Sequence, residues 1–407
     1  MKKTAVKILS MVMALVLALG CLASCGGGSK NYAEGNTKIK IGASGPLTGG
    51  AAVYGTAVRN AAQLAIDEIN ALEAAGGAGT LGIQFDFVML DDKHDANNIK
   101  ANYAALYEGG AQITLGTVTT KPGLEFKTLS NEDKVFVLTP SASGDAIPEY
   151  DNAFQMCFAD SNQGTASANY FNDNYNGKKV GVFFKSDDEY SVGIYNKFKE
   201  ALDASFGQIA EASFKGEEAD FAQQVQALKD CDVIFMPIYY TPASQFMTKG
   251  VGHVKNDAIY YGCDGLDGID AIDGFDIAAI PQEVSYLSHF NSNADTGAAA
   301  DLIAKYNAKY DTAKEPLNQF GAAAYDCVYA IYEALKVAKA NGKAFDATTA
   351  PSVFCELLCE VFTSDSFVFH GVTGEPKADG KSDISWEANG FVNKSAVKYV
   401  VKAVSAN

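Results

Sequence analysis

Beyond Cys25 the sequence has no long unbroken apolar run, which excludes a helix of ~20 residues crossing a membrane from the body of the protein. Basic residues are scarce: 32 Lys and Arg stand against 49 Asp and Glu, a formal net charge of −17. Three lysines and no acid lie in residues 1–24, so the chain without them is near about −20. That balance excludes nucleic acid and anionic lipid as partners, since both are held through basic patches. Signatures of chemistry are missing too. Asp91-Asp92-Lys93-His94-Asp95 gathers carboxylates around one imidazole but has no second histidine at helical spacing and no cysteine pair. It reads as a solvated strand-end loop that caps the next helix. His253, His289 and His370 are isolated, and no Ser/His/Asp order or paired-carboxylate site stands out. No metal, no cofactor and no enzymatic activity are expected.

The N-terminus is distinctive. Lys2, Lys3 and Lys7 precede an apolar stretch from Ile8 to Leu22, the layout of a secretory signal peptide. Leu22-Ala23-Ser24-Cys25 resembles a bacterial lipobox, which implies lipidation at Cys25 and a location outside the cytoplasmic membrane, periplasmic or at the cell surface. Cys21 fits that pattern less well. Residues 1–24 are then the signal peptide, and the Gly-rich, polar residues 25–37 read as a flexible tether. Six further cysteines remain: Cys157, Cys231, Cys263, Cys327, Cys355 and Cys359. An exported chain permits disulfides, but three of these sit in apolar runs, where cysteine behaves as a small hydrophobe. Cys355 and Cys359 share a helix face that suits a disulfide poorly. Mostly free, buried thiols are expected.

At 407 residues and 48% hydrophobic content the chain can bury a large core in two or three lobes. From Lys38 onward short β-rich runs alternate with amphipathic stretches. Lys38–Ala43, Ile83–Leu90, Gln112–Leu115 and Val135–Leu138 read as strands, with helices marked by Val58–Leu72 and by Ile99, Tyr103 and Leu106. After Asp160 the rhythm restarts: Val180–Phe184, Ala210–Phe214 and Asp232–Met236 are strands, with helices through Phe198 and Val225 between them. Helices near Leu302, Ala322–Ala338 and Val353–Val361 follow, then a last strand over 396–404. Repeated βα units with nearly continuous apolar strands predict an α/β fold: two lobes, each a mostly parallel sheet covered by helices. Ligand is expected at the carboxyl ends of the strands, in the cleft between lobes.

Gly77-Ala78-Gly79-Thr80-Leu81-Gly82 matches G-x-G-x-x-G literally, but a helix precedes it and a strand follows, the reverse of a dinucleotide site. Gly42-Ala43-Ser44-Gly45 is one residue short of a nucleophile elbow. The informative segments all follow strands: residues 41–55, Leu115–Leu124, Leu138–Ser143, Asp187–Tyr190, Pro237–Tyr240 and Tyr261–Gly265. They collect hydroxyls, phenols and one carboxylate, a set suited to a small zwitterion. Thr120 would cap a helix beginning near Lys121-Pro122, whose N-terminus suits a carboxylate, and Asp264 supplies the charge for an ammonium.

Taken in order, these segments resemble the type I periplasmic binding proteins of the leucine/isoleucine/valine-binding family, the substrate receptors of ABC transporters. The resemblance runs from about Lys38 to the C-terminus. It implies three crossovers, placing lobe 1 at 38–159 with 289–394 and lobe 2 at 160–288 with 395–407. It implies that Thr120 meets the ligand carboxylate, that the Ser141 carbonyl and Asp264 meet the ammonium, and that Ser143 adds a hydroxyl. Tyr54 is the aromatic of the first cleft loop, and Tyr190 and Tyr239 close from the second lobe, with Tyr239 and Tyr240 ambiguous by one residue. Two departures stand out: Thr119 occupies a position that is half of a disulfide in some members, and Asp264 is shorter than the glutamate of others. The function implied is capture of an amino acid, foremost a branched-chain one, for an ABC permease by a monomer touching the membrane only through its lipid. Alternatives are the same fold binding a polar amino acid, an amide or an aromatic acid for transport or sensing, and a secreted α/β hydrolase.

Overall fold

The apolar runs become the strands of two sheets. The computed structural model describes residues 30–377, 380–394 and 397–403; Cys25 and the signal stretch lie outside them. The first half of the chain gives β1 (Ile39–Gly45), α1 (Ala52–Ala75), β2 (Phe85–Asp91), α2 (Ile99–Glu108), β3 (Ile113–Thr114), α3 (Thr120–Glu132), β4 (Phe136–Thr139) and β5 (Ala153–Gln155). These strands form one parallel sheet in the order β2-β1-β3-β4-β5. Then follow α4 (Asp160–Asn174), β6 (Val180–Lys185), α5 (Glu189–Ala201), β7 (Ala210–Phe214), α6 (Ala222–Leu228), β8 (Val233–Met236), α7 (Tyr240–Gly250), β9 (Ile259–Gly262) and β10 (Glu283–Ser288). They build a second sheet, which repeats the order as β7-β6-β8-β9-β10, with the last strand β13 (Val397–Lys402) antiparallel on β10. We call the layers around the two sheets the first and second lobes.

Burial explains the sequence pattern. β4 and β8 are buried at every residue, as strands covered on both faces must be. The later helices α8 (Gly297–Lys309), α9 (Gln319–Ala340) and α10 (Pro351–Phe362) belong to the first lobe. There α9 lies along α1, and its phenols Tyr325 and Tyr329 donate to Glu68 at 2.6 and 2.7 Å while Tyr332 donates to Glu73 at 2.6 Å. Glu73 also collects the N–H groups of Leu81 and Gly82 at 2.8 and 2.6 Å. The glycine-rich loop that mimics a phosphate cradle thus gives those amides to its own chain.

Chain crossings between the lobes are tied together. The Lys394 ammonium donates to the Met156 carbonyl at 2.7 Å and to the Thr373 hydroxyl at 2.6 Å, joining the crossing before β13 to the one after β5. Burial lowers its pKa to about 8.

Three expectations need correction. The tether foreseen over 25–37 ends sooner: Ala33 is buried, and the Asn36 amide donates to the Gly110 carbonyl at 2.9 Å and to Gln112 at 3.0 Å. β5 and the hairpin of β11 (Phe369–Gly371) and β12 (Ser382–Ile384) were not foreseen, because three-residue strands carry no periodicity. Thr120 is the first residue of α3 rather than its cap. Thr119, extended at φ −118°, occupies the cap position without bonding its side chain to the helix amides. The six cysteines are free, with the Cys355 and Cys359 sulfurs 3.9 Å apart.

The start of α1 is held against the loop before it through Gly55. A β-carbon there would lie 2.0 Å from the Pro46 carbonyl oxygen, a backbone atom that cannot swing aside. Gly55→Ala is expected to destabilise by about 3 kcal/mol, the upper range for overpacking, read as a lower urea midpoint. An unchanged midpoint would show that this approach is not structural.

Candidate functional site

In an open α/β sheet, ligands bind where the strand order reverses. The two reversals here fall between β1 and β3 in one sheet and between β6 and β8 in the other, and the segments after these strands meet. The first lobe contributes Tyr54, Val118, Thr119, Thr120, Ser141, Ser143 and Phe320; the second contributes Tyr190, Tyr239, Asp264 and Gly265. Together they line a narrow cavity of about 10 Å³, drawn nearly shut by the surrounding side chains. All seven residues singled out from the sequence line this one cavity. A wider hollow of about 560 Å³ between α9 and the β11–β12 hairpin lies away from these strand-end segments. Among the described residues no cluster of three or more His, Cys, Asp or Glu could hold a metal.

The first-lobe wall is a set of loops locked by their own hydroxyls. The Thr139 hydroxyl donates to the Thr117 carbonyl at 2.7 Å, and the Ser141 hydroxyl donates to the Val118 carbonyl at 2.7 Å. The Thr120 hydroxyl accepts the Gly144 N–H at 3.1 Å. By position, the first N–H groups of α3 have no intrahelical acceptor, and Pro122 has none to offer, so Thr120 and Lys121 carry the positive end of the helix dipole.

The second-lobe wall carries a buried acid. Asp264 is 2% exposed. Its carboxylate accepts the Tyr190 hydroxyl at 2.6 Å, and its N–H donates to Gln163 at 3.0 Å. Burial raises its pKa to about 6 against those hydrogen bonds, and the neighbouring Asp267 pushes the same way. The strongest influences on it come from burial, neutral hydrogen-bond partners and another acid. A buried carboxylate with neutral partners is costly unless a cation joins it.

Aromatic rings complete the enclosure. Tyr190 stacks on Tyr239 with centroids 4.6 Å apart, and Tyr54 stands edge-on to Phe320 at 4.8 Å and to Tyr240 at 4.6 Å. The Tyr54 hydroxyl, buried and held neutral, donates to the Gly265 carbonyl and accepts the Tyr240 N–H at 3.2 Å. The Tyr240 hydroxyl accepts the Val53 N–H at 3.2 Å, and the Thr241 hydroxyl donates to the Gly50 carbonyl at 2.7 Å. These bonds run from one lobe to the other, so the cleft is shut. The one-residue ambiguity is resolved geometrically: Tyr239 lines the cavity, and Tyr240 braces Tyr54 from behind.

Several contributors escaped the sequence reading. Thr119 and Gly265 adjoin residues it chose. Phe320 sits in the first turn of α9, where nothing in the pattern distinguishes it from core. The acidic loop was taken as solvated, yet Asp92 is fully buried beneath the Ser44 hydroxyl at 3.1 Å, with its pKa raised to about 6 by burial. Asp95 does cap the following turn, accepting the Asn97 N–H at 2.9 Å. His94 reaches the cleft wall, its Nδ1 2.9 Å from the Thr119 hydroxyl.

Comparison with known proteins agrees with this architecture. Residues 38–353 match the family model described as periplasmic binding protein. The chain is 26% identical over 362 residues to the Leu/Ile/Val-binding protein BraC3 of Rhizobium johnstonii, covering 87% of this chain and 93% of that protein. Among solved structures it resembles the branched-chain amino acid transporter substrate-binding protein LivJ of Streptococcus pneumoniae in complex with isoleucine, at 27% identity, TM-score 0.68, and coverage of 89% and 100%. A solute-binding protein of an ABC transporter from R. palustris in complex with benzoate shares the fold at TM-score 0.72 and 18% identity, over 90% of this chain and 93% of that one. With two repeated sheets closing on one cavity and a family match over most of its length, the chain belongs to the periplasmic binding protein family, a family of binding proteins and not of enzymes.

Proposed function

We propose that this chain is an extracytoplasmic receptor that captures a branched-chain amino acid between its lobes and presents it to an ABC permease. The observation that carries the reading is Asp264, a buried carboxylate with only neutral partners, in the same small cavity as the start of α3. An α-amino acid supplies both complements: an ammonium for Asp264 and the Ser141 carbonyl, and a carboxylate for Thr120, Ser143 and the first amides of α3. Tyr190 holds Asp264 in place, and Val118, Phe320, Tyr54 and Tyr239 offer apolar contact to an aliphatic side chain. The names of the relatives support the same ligand class. Capture and closure make and break no covalent bond; the permease's ATPase would drive transport. Lipidation at Cys25 would keep this monomer at the membrane.

The benzoate-bound relative motivates a second reading, an aromatic acid. Such a ligand has a carboxylate but no ammonium, so Asp264 would keep its charge unpaired or bind a proton. Calorimetry against the twenty amino acids and a set of benzoates separates the two: leucine, isoleucine or valine bind under the first reading, and benzoates alone under the second.

Asp264→Ala is expected to weaken amino-acid binding by about 2–5 kcal/mol, because truncation strands a buried ammonium; wild-type affinity in this variant would end the ammonium assignment. Thr120→Ala is expected to cost about 1–2 kcal/mol, since the helix amides remain. Tyr54→Phe removes the hydroxyl shared by Gly265 and Tyr240, and is expected to cost about 1–3 kcal/mol and to shift the ligand-bound protein toward a larger radius of gyration in solution scattering. Affinity should be greatest above pH 6 and fall as pH drops through the Asp264 pKa of about 6, because the protonated carboxyl must lose its proton before it holds an ammonium.

A further inference from the structure

His94 sits between the lobes in a way the binding reading leaves unused. The loop after β2 places it there by an uncommon backbone: Lys93 and His94 are both left-handed, at φ 58° and 61°. Two acids hold that turn, as Asp91 accepts the Lys93 N–H at 2.9 Å and Asp92 accepts the His94 N–H at 2.9 Å. Successive left-handed residues that are not glycine are strained and persist where surrounding structure requires them. Here the turn aims the imidazole at Thr119, with Nδ1 2.9 Å from its hydroxyl. The ring also stands edge-on to Tyr239 of the second lobe, centroids 5.0 Å apart at 82°. Both neighbours line the cavity.

We propose that His94 is a positioning residue for ligand capture, its neutral imidazole joining Thr119 of the first lobe to Tyr239 of the second when the cleft shuts. The inference rests on the receptor reading, and its consequence is that closure is coupled to the protonation of His94. In the shut cleft, burial lowers the imidazole pKa to about 4; Lys185 of the second lobe and Lys121 of α3 push the same way, and Asp95 opposes them. The other charged groups around the turn and the facing wall include Asp91 and Lys93 beside it, Asp92 beneath it, Asp188, which acts on Tyr239, and Glu189, 3.9 Å from Lys121. An open cleft exposes His94 to water and restores its ordinary value near 6.5. A base whose pKa falls on closure favours the shut form above pH 6.5 and opposes it as pH drops toward 4.

The test uses L-isoleucine as probe and two variants. His94→Asn tolerates the left-handed backbone and keeps a polar partner for Thr119 but does not titrate. Between pH 8 and pH 5 the His94 contribution amounts to a loss of ~30-fold in affinity, added to the loss from Asp264. His94→Asn is expected to bind a few-fold weaker than wild type at pH 8 and to lack that part of the acid loss, whereas His94→Ala is weaker at every pH. Superimposable pH profiles for wild type and His94→Asn would overturn the proposal. A ligand-free measurement runs beside it. A β-carbon on Gly50 lies 4.0 Å from the Thr241 β-carbon, within disulfide range, so Gly50→Cys with Thr241→Cys locks the cleft. In the oxidised protein the His94 resonance, assigned by its loss in His94→Asn, is expected to titrate below pH 5; titration at 6.5 there overturns the proposal. A wild type that binds no amino acid at pH 8 would sink the receptor reading alone, and the locked protein would still decide the role of His94.

Discussion

A carboxylate removed from water needs compensation, and the way Asp264 is compensated governs the arrangement around it. Tyr190 donates one hydrogen bond to it and the Gln163 amide oxygen accepts its backbone N–H, yet these neutral partners leave its charge uncancelled. Two phenols stack in parallel beside it, so bulk water does not do the work either. The second lobe therefore presents a negative site of low dielectric, and the first lobe presents the positive end of α3 across the same small cavity. Under the proposed function, opposite ends of one small dipolar molecule would satisfy both, and each lobe alone would be an indifferent binder.

Closure depends on few contacts. One group of bonds across the cleft radiates from the start of α1 and the Tyr54 hydroxyl to Gly265, Tyr240 and Thr241; beside it Asp267 accepts the Gln319 N–H at 2.9 Å and Lys121 faces Glu189 at 3.9 Å. Each hydrogen bond is worth about 1 kcal/mol net, so the shut state is only modestly favoured by protein contacts, as a reversible receptor needs. The hinge side differs: the Lys394 ammonium binds the Met156 carbonyl and Thr373, holding two crossings together whichever way the lobes rotate.

Much of this was legible in the chain. Strands such as Val233–Met236 announce themselves because parallel strands buried on both faces are apolar throughout, and the residues just after them gather at the site for topological reasons alone. That rule marks the segments and, with their chemistry, Thr120 and Asp264; Tyr54, Ser141, Ser143, Tyr190 and Tyr239 follow from the family resemblance. What resisted reading was set by geometry without a sequence period. His94 lies in a polar run that looks solvated until two left-handed residues turn it inward. Phe320 reaches the cavity only because α9 returns to α1 some 260 residues later in the chain. Whether Thr119 or Thr120 opens α3 is a matter of one backbone angle. Asn36, in a segment composed like a linker, docks because partners wait at Gly110 and Gln112.

The antiparallel seating of β13 on β10 bears on how the protein is made. The second sheet receives its outer strand from residues 397–402, long after β10 in the chain. Until those residues emerge, β10 presents a bare edge, the kind that recruits other chains. The first lobe is also without α9, the helix that covers α1, until after the second sheet's parallel strands are complete. A chain threaded through a membrane N-terminus first would thus have the first lobe unfinished until α9 and α10 arrive, and the second until β13 does. Contacts this distant in sequence form slowly, which favours holding the polypeptide unfolded through export and assembling both halves together on the far side.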